Sequence, residues 1–233
     1  YKHAGGISTL LVFFLLLMMK VLAVLLLAGV ALARVPHNTR AVETTRVFTD
    51  ANMNGNYLDI NDYVPDLGQY NFDNSIDSAC VTGIWLYYEN TEYNKMAGRV
   101  YWLHGIDFCG NFPNDYTDMI SSVRFAGDPT NWQADTLTVY EGQYFTGNEF
   151  YCTSDCGSLG NLDLDASSLI VTGTSPWTVY DGTNYSGQAI CVYPNETDNG
   201  QNGNSFSFGM WPETSTLGAP DNTIRSARKG CWA

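Results

Sequence analysis

The chain has 233 residues, with 24 acidic against 11 basic side chains and a net charge of −13. So acidic a surface excludes nucleic acid and anionic membranes as natural partners and suits cations or high solubility. Charged residues are scarce (15%) and aromatics plentiful (14%), with 22 glycines, a balance foreign to a helical protein laced with surface ion pairs.

Residues 1–33 read as a segment outside the fold. Tyr1–Leu17 lies upstream of a start at Met18 or Met19. Lys20, the apolar run Val21–Val30 and Ala31-Leu32-Ala33 then form the charged, hydrophobic and small-residue regions of a cleaved secretory signal. The mature chain then keeps nine basic and 24 acidic residues, a net charge of −15, with no membrane span. Residues 34–43 are polar and aperiodic and are expected to form a loose leader. An even count of six cysteines behind a secretory signal favours disulfides. Fifteen connectivities are open. Each half of the chain can pair internally, and the expected set is Cys80–Cys109, Cys152–Cys156 and Cys191–Cys231. A zinc site is disfavoured, because Cys152 and Cys156 have no second close pair and no nearby His. Asn184 and Asn195 open N-glycosylation sequons.

From Thr44 onward aromatic and β-branched residues alternate with polar ones, punctuated by Gly, Asn and Asp, which predicts strands throughout. Four stretches repeat one another. An aromatic residue ends a short strand and a Gly follows seven positions later, as Phe48 with Gly55, Tyr140 with Gly147, and Tyr180 with Gly187. In the second copy Tyr88 is followed by a delayed Gly98, as if three residues were inserted after Tyr93. The four glycines are expected where the hairpin needs a positive φ or a close backbone approach, and the four aromatics as packed anchors. Each copy closes with a polar turn, a late Ser (Ser78, Ser122, Ser168, Ser226) and a further strand. Units of about 40 residues with a Gly-marked hairpin and a returning strand have the size of four-stranded Greek keys, and two of them close one β-sandwich.

These motifs resemble the βγ-crystallin family. The resemblance implies an all-β chain of two domains, each a β-sandwich of two Greek-key motifs. Domain one covers 44–125 (motifs 44–82 and 83–125), a linker covers 126–135, and domain two covers 136–233 (motifs 136–172 and 173–233). Calcium-binding members carry Asn/Asp-Asn/Asp-x-x-Ser/Thr-Ser in the loop before the late Ser. Asp73, Asn74 and Asp77 fill that pattern in motif one, the last as an acid in place of a hydroxyl. Asp118 and Ser121 fill it in motif two, Asp163 and Ser167 in motif three, Asp221 and Asn222 in motif four. The resemblance further implies that each site is completed from just after the first strand of the partner motif, at Thr49 or Asp50, Glu89, Glu141 and Asp181. Thr117 and Leu164 depart from the pattern, and Arg225 places a cation at the fifth position of motif four. Calcium is therefore expected mainly in the first domain, with one weakened or lost site in the second.

Catalytic signals are sparse. His3 and His37 precede the predicted fold, His104 has no evident nucleophile partner, and no nucleotide-binding or metalloprotease motif occurs. The expected protein is a secreted, non-enzymatic, calcium-binding structural or matrix component. The alternative is a defence protein that recognises glycans or microbial surfaces through exposed loops such as Asn195–Trp211. A third reading is a calcium-independent crystallin-like scaffold.

Overall fold

In a computed structural model of the protein, residues 43–200 and 203–233 are described; the signal and nearly all of the leader lie outside them. Among the described residues the chain forms thirteen β-strands joined by short turns, of which the four-residue turn Thr91–Asn94 is left-handed at Glu92 and Tyr93. No helix of these residues is long and apolar enough to cross a membrane.

The four repeats build the same hairpin. β1 (Thr44–Asp50) turns into β2 (Asn54–Ile60) through Asn52 and Met53, both left-handed (φ 61° and 58°). Glu92 and Tyr93, Tyr144 and Phe145, and Asn184 and Tyr185 repeat that left-handed pair, with Asn94 a third left-handed residue in the second hairpin. Each left-handed pair is held by the late serine. The Ser78 hydroxyl donates to the Asp50 carbonyl (2.7 Å) and accepts from the Met53 amide (3.0 Å). Ser122 bridges Asn90 and Tyr93 (2.6 and 3.1 Å), Ser168 bridges Gly142 and Phe145 (2.6 and 3.0 Å), and Ser226 bridges Gly182 and Tyr185 (2.6 and 3.0 Å). All four serines are fully buried. A second clasp lies across each hairpin. The side chain at the end of the first strand or just after it (Thr49, Glu89, Glu141 or Asp181) accepts the amide of the residue that follows the marker glycine (Asn56, Arg99, Asn148 or Gln188), at 2.7 to 3.0 Å.

That second clasp explains the marker glycines. Gly55, Gly98, Gly147 and Gly187 all have positive φ (79°, 150°, 75° and 83°). Gly55, Gly98 and Gly187 are exposed and only Gly147 is buried, so backbone geometry and not core packing selects them. A Cβ on Gly55 would collide with the Thr49 hydroxyl, and one on Gly187 with the Asp181 carboxylate, which are the clasping groups themselves. The expectation that all four aromatics are packed anchors needs one correction. Tyr88, Tyr140 and Tyr180 are buried, but Phe48 is half-buried, resting on the exposed Tyr57 ring at 6.3 Å.

In the first domain β3 (Ser78–Tyr88) and β4 (Val100–Asn111) form one long hairpin that links both motifs in a single five-stranded sheet. Residues Ser78–Thr82 pair with β1, and Ile84–Tyr88 pair with β5 (Ser122–Ala126). The bend falls where Gly83 faces Gly105, at φ +91° and +147°, a geometry that side-chain-bearing residues resist. Val64 of motif one also bridges to Val123 of motif two, so the two motifs exchange backbone pairing. The second domain repeats the exchange with separate strands. β8 (Ser168–Thr172) lies between β6 (Thr136–Tyr140) and β12 (Ser205–Trp211), with β7 (Glu149–Cys152) and β11 (Glu196–Asn199) at the edges. β9 (Trp177–Tyr180) lies between β10 (Ala189–Val192) and β13 (Ser226–Lys229), and Cys156 bridges to Ala227. The disulfides are Cys80–Cys109, Cys152–Cys156 and Cys191–Cys231, the same pairs as expected.

Alternate residues of β3 explain why nearly all of it is buried. Trp85 and Tyr87 enter the first core with Val47, Ile76, Ile120 and Phe125. Ile84, Leu86 and Tyr88 face a further apolar cluster with Tyr140, Phe145, Ile170, Phe206 and Phe208 of the second domain. The second core gathers around Trp177, Leu137, Leu169 and Val171. The stretch Asn195–Trp211, expected as an exposed recognition loop, is exposed over much of 195–205 and buried only toward its end. That stretch contains the β11–β12 hairpin, and apolar burial takes Phe206 and Phe208 out of solvent entirely.

Two charges are buried where the domains meet. Arg124 lies with its guanidinium over the rings of Tyr88, Tyr93 and Tyr140. Its Nε donates to the Tyr88 hydroxyl (2.8 Å), Nη1 to the Gly147 carbonyl (2.9 Å) and Nη2 to the Phe145 carbonyl (2.7 Å). The other is Glu43, the last residue of the expected loose leader, which is fully buried instead. Its carboxyl is housed beside Gly83 and Gly127, where added Cβ atoms would come within 2.7 and 3.0 Å of its oxygens. Neither oxygen makes a hydrogen bond. Desolvation, reinforced by the charges of Asp128 and Glu149 and opposed weakly by the Ile84 amide, raises its pKa well above the ordinary carboxylate value.

Two stability measurements follow. Ser168→Ala leaves the Gly142 carbonyl and the Phe145 amide without their shared partner and should cost about 1–3 kcal/mol in urea unfolding. For Glu43, a raised folded pKa means that stability is fullest below the unfolded value near ~4.3 and is lost as pH rises toward the folded value. Glu43→Gln should therefore match the parent at acid pH and gain on it toward neutrality, by up to about 1.4 kcal/mol per pH unit. Melting temperatures of the two proteins across this range that run parallel would contradict the burial of an uncompensated acid.

Candidate metal centre

The four closing loops have one backbone design. Their second positions, Asn74, Asp118, Leu164 and Asn222, are all left-handed, with φ between 50° and 62°. Asn and Asp tolerate that region best, which gives the pattern a backbone reason apart from any ligand. Leu164 adopts it without that help, and its side chain is half exposed. The fifth positions hang from the end of their own first strand. The amides of Asp77, Ser121, Ser167 and Arg225 donate to the carbonyls of Phe48, Tyr88, Tyr140 and Tyr180, at 2.8 to 3.0 Å. Within each domain the loops also meet. Asn74 and Asp118 donate to the carbonyls of Ile120 and Ile76 (3.0 and 3.3 Å), and Asn222 donates to Ala166 (3.3 Å). The fifth position of one loop is thus brought near the second position of its partner and the side chain after its own first strand. The resemblance implied a join to the partner's first strand; these hydrogen bonds run to the loop's own.

Asp77 is the singular member. Its Oδ1 is buried without a hydrogen-bond partner. Desolvation first, then the charges of Asp118 and Asp50, raise its pKa, with the Asp118 amide opposing them. Asp73 accepts from the Asn74 side chain at 3.1 Å. In the second domain the Ser167 hydroxyl donates to Asn222 Oδ1 at 3.2 Å, so the serine and amide of one candidate pair hold each other. Asp221 is exposed.

Other expected ligands are engaged elsewhere. Arg225 binds both Asp163 oxygens, Nε to Oδ1 and Nη2 to Oδ2, each at 2.8 Å. The guanidinium lowers the Asp163 pKa and stands where the family places a cation-binding hydroxyl. Glu89 is held by the Arg99 amide and side chain, which lower its pKa. Glu141 and Asp181 accept hairpin amides through one oxygen each.

Among the described residues no three His, Cys, Asp or Glu side chains converge as a metal cluster. A cation in these loops therefore needs carbonyl, hydroxyl and amide oxygens beside one or two carboxylates, a donor set that calcium accepts and zinc does not. The Asp77 loops fit that requirement through their orphaned oxygen. The Asp163–Arg225 pair does not fit it.

Sequence reasoning left His104 alone. The fold pairs its Nδ1 with Asp198 at 2.7 Å and packs its ring on Phe208, a meeting of residues 94 positions apart that no local signal marks. Asn184 and Asn195 are both exposed, Asn184 at a left-handed hairpin tip.

Greek-key pairs clasped by buried serines, with paired polar loops at one end, define a class of all-β protein, and the comparisons name it. A sequence profile described as Beta/Gamma crystallin matches residues 136–229. Geodin, a beta-gamma crystallin from Geodia cydonium, superposes with a TM-score of 0.59 at 17% identity, over 81% of this chain and 99% of its own. A betagamma-crystallin from an archaeon is 31% identical over 41% of this chain and 98% of its own, with a TM-score of 0.34. Protein S, solved in complex with calcium, is 19% identical over 80% of this chain and 98% of its own, with a TM-score of 0.28. Among curated proteins none matches the sequence. The chain belongs to the beta/gamma crystallin family.

Replacing Arg225 by Ser removes the resident cation and frees Asp163. Calorimetric titration of calcium should then show tighter or additional binding in the variant; an unchanged isotherm would show that these loops hold no cation.

Proposed function

We propose that the protein is secreted and serves, without enzymatic activity, as a calcium-stabilised structural component of the extracellular space. One observation carries the calcium reading. Asp77, the one acid at the fifth position of the four loops, holds a buried oxygen without a donor beside the charges of Asp118 and Asp50. Withdrawing one carboxylate oxygen from water without a partner is unfavourable, and a divalent cation offsets that cost while neutralising the neighbouring acids. Backbone carbonyls and Asp118 would complete the shell. In the second domain Arg225 already supplies the positive charge beside Asp163, so calcium is assigned to the first domain. Secretion rests on the signal pattern, the two sequons and three disulfides suited to an oxidising compartment.

Calcium that binds only the folded state stabilises it by about 2.7 kcal/mol at a hundredfold excess over Kd. The melting temperature should be higher in calcium than in chelator, and Asp77→Asn should abolish the difference. Equal melting in calcium and chelator would refute the reading. Because its pKa is raised, the Asp77 carboxyl competes for protons, and calcium affinity should fall as pH drops through that value.

A further inference from the structure

Glu43 occupies its place at the domain junction without help from the sheet. The pairing of β1 with β3 starts at Thr44 opposite Thr82, and its pairing with β2 only at Thr45 opposite Ile60. Glu43 lies beyond both ladders, and Thr44 is held from one side alone. The next anchor is the Thr45 hydroxyl, bonded in the interior to the Tyr87 hydroxyl at 2.7 Å. What holds Glu43 is the burial of its own side chain.

The seat is shaped for that side chain. Gly83 of the first domain and Gly127 of the linker both have positive φ, and a Cβ on either would crowd a different carboxyl oxygen, Oε2 and Oε1 respectively. A Cβ on Gly127 would also meet Thr172 of the second domain at 3.4 Å, so the carboxyl sits where both domains and the linker converge.

The titratable groups around the seat are acids and a phenol. The linker contributes Asp128, β7 contributes Glu149, and β6 contributes the buried Tyr140 hydroxyl. From β3 only the Ile84 amide opposes them. Neither neighbouring acid can retreat. Asp128 Oδ1 accepts from the Thr130 amide and hydroxyl and from the Asn131 amide. Glu149 accepts from the Tyr63 hydroxyl and pairs with Arg124 at 3.4 Å. Arg124, the buried cation of the junction, is turned to that acid and to Tyr88, Phe145 and Gly147. Of the three acids, Glu43 alone can leave by a movement of two residues.

An anion in this seat has neither a strong donor nor a cation of its own, so it must leave or displace its neighbours. We propose that Glu43 is a proton-held latch: its neutral carboxyl locks the start of β1 into the junction, and its ionisation between Asp128 and Glu149 releases Glu43 and Thr44 to solvent while the chain from Thr45 onward stays paired. The direction follows from the surroundings. Burial and the two acids raise the pKa of Glu43, so the latch is closed at acid pH and opens only above the ordinary carboxylate range. Release also limits what ionisation costs the rest of the fold, since two residues leave and the apolar cluster behind them stays packed.

The test is NMR relaxation on the whole protein, with amide order parameters of Thr44, Thr45 and the β3 residues followed from acid to alkaline pH. Thr44 should fall from a rigid value of about 0.85 to below about 0.6 while β3 stays rigid, and Glu43→Gln should keep Thr44 rigid throughout. Asp128→Asn retains the Oδ1 acceptor for Thr130 and Asn131 but removes a neighbouring charge, and should move the midpoint of the release to lower pH. A Thr44 that stays rigid at every pH where the protein is folded overturns the proposal. So does a release that persists in Glu43→Gln, a loss of order that reaches β3 together with Thr44, or a midpoint indifferent to Asp128→Asn.

Discussion

One hydroxyl, used four times, holds this architecture together. A hairpin that folds over through two successive left-handed residues exposes an amide and a carbonyl that its own ladder cannot satisfy. The late serine reaches both, donating to one and accepting from the other, from a fully buried position. The serine also begins the returning strand in every motif, so satisfying the turn fixes the register of the sheet. Strand register, loop position and the placement of the polar loops all follow from that clasp.

The sequence was legible where the backbone demands a residue type. The marker glycines, the anchoring aromatics and the closing serines recur because a positive φ, a packed ring and a two-way hydroxyl have few substitutes. Gly55 and Gly187 show how strict the first demand is, since both face solvent and neither tolerates a Cβ. The loop acids were legible as a pattern but ambiguous in meaning. Glu141 and Asp181 fulfil the same sequence rule as ligands and as hairpin acceptors, and Thr49, without a charge, makes the same bond. The Asn and Asp of the second loop positions answer first to a left-handed backbone.

What could not be read are partnerships made by the meeting of the domains. Arg124 stands in a strand that otherwise reads as apolar, and its acceptors are carbonyls of the other domain. Glu149, Glu43 and the His104–Asp198 pair owe their environments to the same junction. Burial of such groups costs free energy that is offset only when the partners are in place. The junction is thus an obligatory part of the fold, and its apolar cluster, rich in Phe and Tyr, resembles a domain core rather than a surface.

The continuous β3–β4 hairpin also ties the two motifs of the first domain into one piece. Its two strands are separated by eleven residues, and β3 is the central strand that pairs with β1 and β5 of the two motifs, with Cys80 and Cys109 facing each other across the hairpin. The second domain has no such shared element; its hairpins β6–β7, β9–β10 and β11–β12 are each local, and the pairing of β8 with β12 joins its two motifs. One bent hairpin therefore gives the first domain both its own core and, through Ile84, Leu86 and Tyr88, the apolar surface against which Tyr140, Phe145, Phe206 and Phe208 pack.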